Sequence, residues 1–248
     1  MMKKYFIYFL RLFSSTNLIF KSTFQTGLIK IGISLLLRFY KDILFIFLLN
    51  KIRYNNINQS FNKFCAENYR FTYNWFGSNP EIWFYIFKKL DFLNKKLNIL
   101  EIGTFEGRSA AFFYKYLDVN KLVTVDLMKK DSIEYGNFEY NSKKFINCDF
   151  YNLRSDIFFK ETKLKHEFDI IYIDGSHFYA DVLKDAISSY RILKSGGIII
   201  FDDFLYTRQT RRFKRPEFMN VIGGILYFLN QKKLKLIYVG HQVIVQKI

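Results

Sequence analysis

The chain has 248 residues, with 30 Phe and 18 Tyr against 2 Pro, and its 38 Lys and Arg outnumber 22 Asp and Glu to leave a formal charge of +16. That length suits one α/β domain with an extension and leaves no room for a second full domain. Two cysteines, Cys65 and Cys148, lie far apart without metal-ligand spacing, which excludes a structural zinc site and fits a reducing, cytoplasmic compartment.

Residues 1–60 carry nine basic side chains, from Lys3 to Arg53, and one acid, Asp42. Met1 to Phe13 resembles the start of a secretory leader, but Arg11 interrupts its apolar core and no small-residue cleavage site follows, so secretion is not expected. Ile29 to Leu49 is more apolar, yet Arg38, Lys41 and Asp42 stand at its centre, where each charge costs roughly 2.5 to 3.5 kcal/mol on insertion. A spanning helix is therefore disfavoured. Residues 1–60 are expected to form a helical extension that packs on the domain or on a second copy as a homo-oligomer, or lies through residues 1–53 on the inner face of a membrane.

Residues 61–96 read as an aromatic connector and a helix. A turn at Gly77 to Pro80 is followed by apolar positions at helical spacing to Leu93. Trp75, Phe76 and Trp83 read as core aromatics and are not assigned to a site.

Residues 97–248 alternate strands and helices. Leu97 to Ile102 is an apolar run, Gly103 and Gly107 bracket a turn, and Arg108 to Leu117 has helical spacing. Lys121 to Asp126 and Lys144 to Asp149 predict further strands that end in acids, with a helix and loop over residues 128–143 between them. Phe168 to Asp174 has the continuous apolar character of a strand buried on both faces. A helix from Tyr179 to Leu193, a strand over residues 198–203 and a helix from Glu217 to Gln231 follow. Two closing strands joined with almost no loop must be antiparallel neighbours. The pattern predicts a doubly wound, mostly parallel sheet with one reversed strand near its edge. Ligands bind such sheets at the carboxyl ends of the strands, at or near which Glu101, Asp126, Asp149, Asp174, Asp202 and Asp203 are predicted to sit. Asp126 is placed to accept from ribose hydroxyls and Asp149 from an adenine amino group.

The stretches EIGTFEGRS, VTVD, YIDGSHFYADVLKD, GGIIIFDDF and VGHQVIVQK resemble those of class I S-adenosylmethionine-dependent methyltransferases. The narrower likeness is to the metal-dependent O-methyltransferase branch, methyltransferase family 24-like, with its macrolide-sugar and cephamycin-pathway enzymes. The resemblance covers Trp75 to Ile248 and implies a Rossmann-like seven-stranded sheet in the order 3-2-1-4-5-7-6, the last strand antiparallel. It implies S-adenosyl-L-methionine bound by Glu101, Gly103, Thr104, Gly107, Ser109, Asp126 and Asp149. It further implies a divalent cation, Mg2+ or similar, on Asp174, Asp202 and Asp203, a role that suits their hard oxygen donors. His177, three residues after Asp174, would be the base that takes the acceptor's proton. His166 and His241 have no comparable setting in sequence. Phe105 stands where the broad class often has glycine.

The acceptor implied is a hydroxyl of a small molecule or saccharide, anionic if Arg208, Arg211, Arg212, Lys214 and Arg215 border the pocket rather than form a solvated loop. Without GxGxxG a nicotinamide enzyme is disfavoured, and without GxSxG a hydrolase is. With Pro80 and Pro216 as the only prolines the chain has no Asn/Asp-Pro-Pro-aromatic motif, so methylation of nucleic-acid bases is not expected. RNA ribose methylation and a membrane-associated, non-catalytic Rossmann-like protein remain as alternatives.

Overall fold

The computed structural model describes residues 15–24, 26–52, 55–77, 79–162, 167–206 and 221–248. Seven strands form one sheet: β1 (Lys96–Ile102), β2 (Asp118–Asp126), β3 (Cys148–Asn152), β4 (Phe168–Ile173), β5 (Leu193–Phe201), β6 (Leu234–Val239) and β7 (Val243–Lys247). Their order is β3-β2-β1-β4-β5-β7-β6, as the resemblance implied. β3, β2, β1, β4 and β5 pair in parallel, and β7 runs antiparallel to both β5 and β6.

Alternation along the strands sorts side chains into two cores, because successive residues point to opposite faces. Leu100, Ile102, Val123, Val125, Ile171, Ile173 and Ile199 face one cluster, which includes Val182 of α8 (Tyr179–Ile192) and Ile222 and Leu226 of α9 (Val221–Gln231). Leu97, Ile99, Leu122, Ile170, Tyr172 and Ile198 face the other. There the aromatic-rich composition finds its use. Phe61 and Cys65 of α3 (Asn55–Asn68), Trp83 and Phe87 of α4 (Asn79–Lys89), and Phe112 and Phe113 of α5 (Arg108–Tyr116) pack against one another. Trp83 stacks on Phe113 with centroids 5.1 Å apart, and Phe61 meets Phe112 edge-on at 5.4 Å.

Two helices fall outside the predicted ones, one in the connector and one in a stretch assigned no element. α3 crosses residue 60, disguised in sequence by its many Asn residues but organised by Phe61 and Cys65 one turn apart. α7 (Ser155–Glu161) follows β3 and buries Phe158. The third helix to note, α6 (Ile133–Ser142), lies in the predicted interval, and Ser132 caps it by accepting from Tyr135 N.

Residues 15–24 form α1, and α2 spans Ile29–Ile52. Thr16 Oγ1 lies 2.8 Å from Tyr40 Oη, and a Cβ on Gly32 would meet Thr23, so the two helices pack antiparallel and close. Ile19, Leu35 and Phe39 are buried in the first core. The charges at the centre of α2 serve the sheet edge. Arg38 pairs with Asp42 at 2.5 Å, donates from Nη1 to Leu236 O at 3.1 Å and from Nη2 to Ile237 O, while Val239 N donates to Asp42 at 2.9 Å. An edge strand exposes unpaired backbone groups, and this ion pair satisfies several on β6. Among the described residues no helix is long and apolar enough to cross a membrane.

Candidate active site

The turn after β1 is built around Glu101, which is fully buried and accepts from Thr104 Oγ1 at 2.6 Å and from Ser109 Oγ. These two hydroxyls are thus engaged in tying strand, turn and helix together. Burial pushes the Glu101 carboxyl up to about 7, against the downward pull of the Ser109 and Thr104 hydrogen bonds. The unfolded group titrates near 4.5, so this raised acid favours folding fully below that pH, and its contribution is lost as pH rises through about 7. Urea melts of the parent and Glu101→Gln should therefore diverge. Between about pH 4.5 and about pH 8 the parent loses about 3 kcal/mol more than the variant.

Gly103 has φ +86 and donates to Val125 O at 2.8 Å, and a Cβ there would lie 2.1 Å from Asp174 O. β1 and β4 can end side by side only with glycine at this position. Phe105 adopts φ +48, a left-handed conformation in which glycine is more at ease, and its N donates to Asp126 at 2.7 Å. Burial raises the Asp126 carboxyl and the backbone donors of Phe105, Leu127 and Thr104 oppose the rise. Gly107, also left-handed, precedes α5.

Beside this turn lies a cavity of about 260 Å³ whose lining includes Gly103, Asp126, Leu127, Leu153, Ser155, Asp156, Gly175, Ser176 and Phe178. Asp126 stands on its wall as expected. Asp149 does not. β3 begins at Cys148 instead of ending at Asp149, which pairs in register with Val123 and forms an exposed ion pair with Lys121 at 3.1 Å. The apolar run before it is no strand: Phe145 turns into the aromatic core and Ile146 is left exposed. Ser155 and Asp156, at the amino end of α7, line the cavity instead.

At the ends of β4 and β5 the metal-binding candidates converge. Donor atoms of Asp174, His177 and Asp203 lie within 4.8 Å of one another, as do those of Asp202, Asp203 and His241. Asp203 takes φ +50, a conformation that costs energy outside glycine and recurs at functional sites. Its Oδ2 lies 2.5 Å from His177 Nε2 and its Oδ1 3.3 Å from His241 Nε2. Burial pushes the Asp203 carboxyl up, but the two histidines outweigh it and hold the group below the usual range. His241 in turn is raised by its hydrogen bond to Asp203. The hairpin-turn histidine thus belongs to the site, contrary to the expectation from its sequence setting. His166 and the basic residues Arg208, Arg211, Arg212, Lys214 and Arg215 lie outside the described residues.

Asp202 differs from its neighbours. It accepts from Gln242 Nε2 at 2.8 Å, from the Tyr172 hydroxyl, from Asn79 Nδ2 at 3.5 Å and from Asp203 N at 2.7 Å. Gln242 also accepts from Trp83 Nε1 at 2.7 Å, and both side chains are fully buried. Tyr172 reaches Asp174 at 2.9 Å as well. Three of these donors meet Asp202 Oδ2, while Oδ1 accepts from Asp203 N and lies 4.0 Å from His241 Nε2. Burial and the neighbouring Asp202 and Asp203 charges push Asp174 well above the carboxylate range. A cation would relieve that repulsion, so the donor set fits a hard divalent ion. Gln242 and Tyr172 carried no sequence signal beyond their place beside a strand end.

Of the three aromatics read as core, Phe76 and Trp83 are buried. Trp75 is 75% exposed, near Tyr73 with ring centroids 5.6 Å apart, and the pair lines a small hollow that also touches Gly103 and Asp174.

Residues 100–204 match the family model described as a methyltransferase domain. This stretch resembles a methyltransferase domain and lies in a Rossmann-like methyltransferase fold. It contains the glycine turn, Asp126 and the Asp174, His177 and Asp203 cluster. An uncharacterized protein of Acanthamoeba polyphaga mimivirus is 30% identical over 142 residues, which span 53% of this chain and 63% of that protein. The methyltransferase MycE of the mycinamycin biosynthetic pathway, solved with Mg, SAH and mycinamycin VI, superposes with a TM-score of 0.56 at 14% identity, over 75% of this chain and 53% of that one. A Klebsiella pneumoniae protein described as a candidate O-methyltransferase gives 0.52 at 16% identity, over 85% of this chain and 97% of that one. At such identities the likeness to solved structures is one of fold.

Proposed function

We propose that this chain is an O-methyltransferase that moves the methyl group of S-adenosylmethionine to a hydroxyl of a small molecule or saccharide. The observation that carries this reading is the meeting of Asp174, His177 and Asp203 at the strand ends, where Asp174 adjoins the Gly103 turn and Ser176 lines the cavity. Asp126 would hold the ribose, with Leu127, Leu153 and Phe178 offering apolar walls to the adenine. The amino end of α5 presents backbone N–H groups where the methionine end would lie.

In the transfer the acceptor oxygen attacks the methyl carbon, the carbon–sulfur bond breaks, and the hydroxyl proton must leave as the new bond forms. His177 would take it. A neutral His177 donating from Nε2 to Asp203 keeps its lone pair on Nδ1, and Asp203 stabilises the imidazolium that results. A divalent cation on Asp174 and Asp203, when bound, would make an acceptor hydroxyl more acidic. Tyr73 and Trp75 offer flat apolar faces on which an acceptor ring can rest. The Mg of the MycE complex supports a metal-assisted reading.

Calorimetry tests the cofactor half of the proposal. S-adenosylhomocysteine should bind the parent, and Asp126→Ala should weaken it by roughly tenfold or more, the loss of charged hydrogen bonds of about 1.5 to 3 kcal/mol. No binding to the parent overturns methyl transfer. Metal-independent methylation of RNA in preference to small hydroxyl acceptors would replace the acceptor class.

A further inference from the structure

We propose that the outer face of α2 seats the protein on an anionic membrane surface, independently of what the catalytic edge does. The inward face of this helix is already used, by Leu35, Phe39 and the Arg38–Asp42 pair against the sheet edge. On the opposite side Ile29, Ile33, Leu37 and Leu44 are 54%, 51%, 69% and 61% exposed. Their spacing puts them on one stripe, and at about 1.5 Å per residue it runs for about 22 Å. Solvent-facing apolar stripes of this kind mark interaction surfaces rather than ordinary helix exteriors.

Charge selects the partner. Lys30 and Lys41 are exposed beside the stripe, and the one acid among the described residues of α1 and α2, Asp42, is buried against Arg38. An apolar stripe flanked by cations with no exposed acid matches an interfacial helix on anionic lipid, where the side chains enter the acyl boundary and the lysines meet headgroup phosphates. A second copy of the same face would bring the lysine rims together and leave them unpaired. The helix lies on the bilayer in this arrangement and does not cross it.

The test is flotation of the full chain with vesicles of phosphatidylcholine alone and of phosphatidylcholine mixed with phosphatidylglycerol, at low and high salt. The parent should float with the anionic vesicles at low salt and remain behind with the neutral ones. Ile33→Ser combined with Leu37→Ser should cut the bound fraction roughly tenfold, and Lys30→Glu with Lys41→Glu should remove the preference for phosphatidylglycerol. All four positions are exposed, so thermal melts of both variants should match the parent. A parent that never floats, or variants that float as it does, overturns the proposal. A parent that sediments as a dimer and does not float, with the Ile33 and Leu37 variant monomeric, assigns the face to a second copy instead.

Discussion

Asp203→Asn should lower the methyl-transfer rate by roughly 10²- to 10⁴-fold while S-adenosylhomocysteine affinity stays within about threefold. The substitution keeps the side chain's shape, and Asn tolerates the left-handed backbone that Asp203 adopts, so the fold is retained. It removes the charge that faces His177 Nε2 at 2.5 Å and His241 Nε2 at 3.3 Å and that would face a cation. A second readout needs no acceptor. His241 is raised by Asp203, so its ring should titrate at a lower pH in the variant, which histidine NMR measures directly. Initial rates on a panel of catechol and sugar hydroxyls complete the test. An unchanged rate on an accepted substrate would remove Asp203 and the cluster from the chemistry.

Gly103→Ala should cost more than about 4 kcal/mol and abolish cofactor binding. The added methyl would sit 2.1 Å from Asp174 O and 2.4 Å from its carbonyl carbon, and both are backbone atoms that cannot rotate away. The φ of +86 adds strain for any residue with a Cβ. Gly107→Ala is the informative contrast. Its φ of +82 carries the same left-handed strain of about 1 to 2 kcal/mol, but its Cβ would press at 3.1 Å on the Phe145 ring, which can yield, so a smaller loss is expected. Urea melts of the two variants measure the difference. A Gly103→Ala protein within about 1 kcal/mol of the parent would mean that β1 and β4 do not converge as described.

Most of the sheet was legible because its strands are short apolar runs bounded by turn residues. Ile170 to Ile173 and the run Ile198 to Phe201 are buried throughout, so no charged residue interrupts the signal. The terminal hairpin followed from a loop too short for any crossover. β3 was misread because the pattern KFINCD has the same appearance, yet two of its members have separate fates: Phe145 enters the aromatic core and Ile146 faces solvent. α3 and α7 were missed since each depends on only a few buried anchors, Phe61 and Cys65 in the one and Phe158 in the other.

The candidate site divides along the same line. Asp174, His177 and Asp203 were named through the family resemblance and their place at or just after strand ends, and the structure brings them together. His241 and Gln242 could not be, because they reach Asp203 and Asp202 only after β7 pairs antiparallel with β5. Nor could the sequence show that Tyr172, Gln242 and Asn79 all reach Asp202 Oδ2.

What the amino-acid sequence alone determined was the alternation of elements, the glycine turn, and the strand-end position of Asp126, Asp174, Asp202 and Asp203, since all of these depend on neighbours within a few residues. Only the tertiary structure decided which donors reach Asp202, that His241 joins the acids, and that Arg38 and Asp42 close the edge of β6 instead of merely opposing insertion into a bilayer. Each of these rests on hydrogen bonds between groups far apart in the chain, and local pattern does not encode such partners.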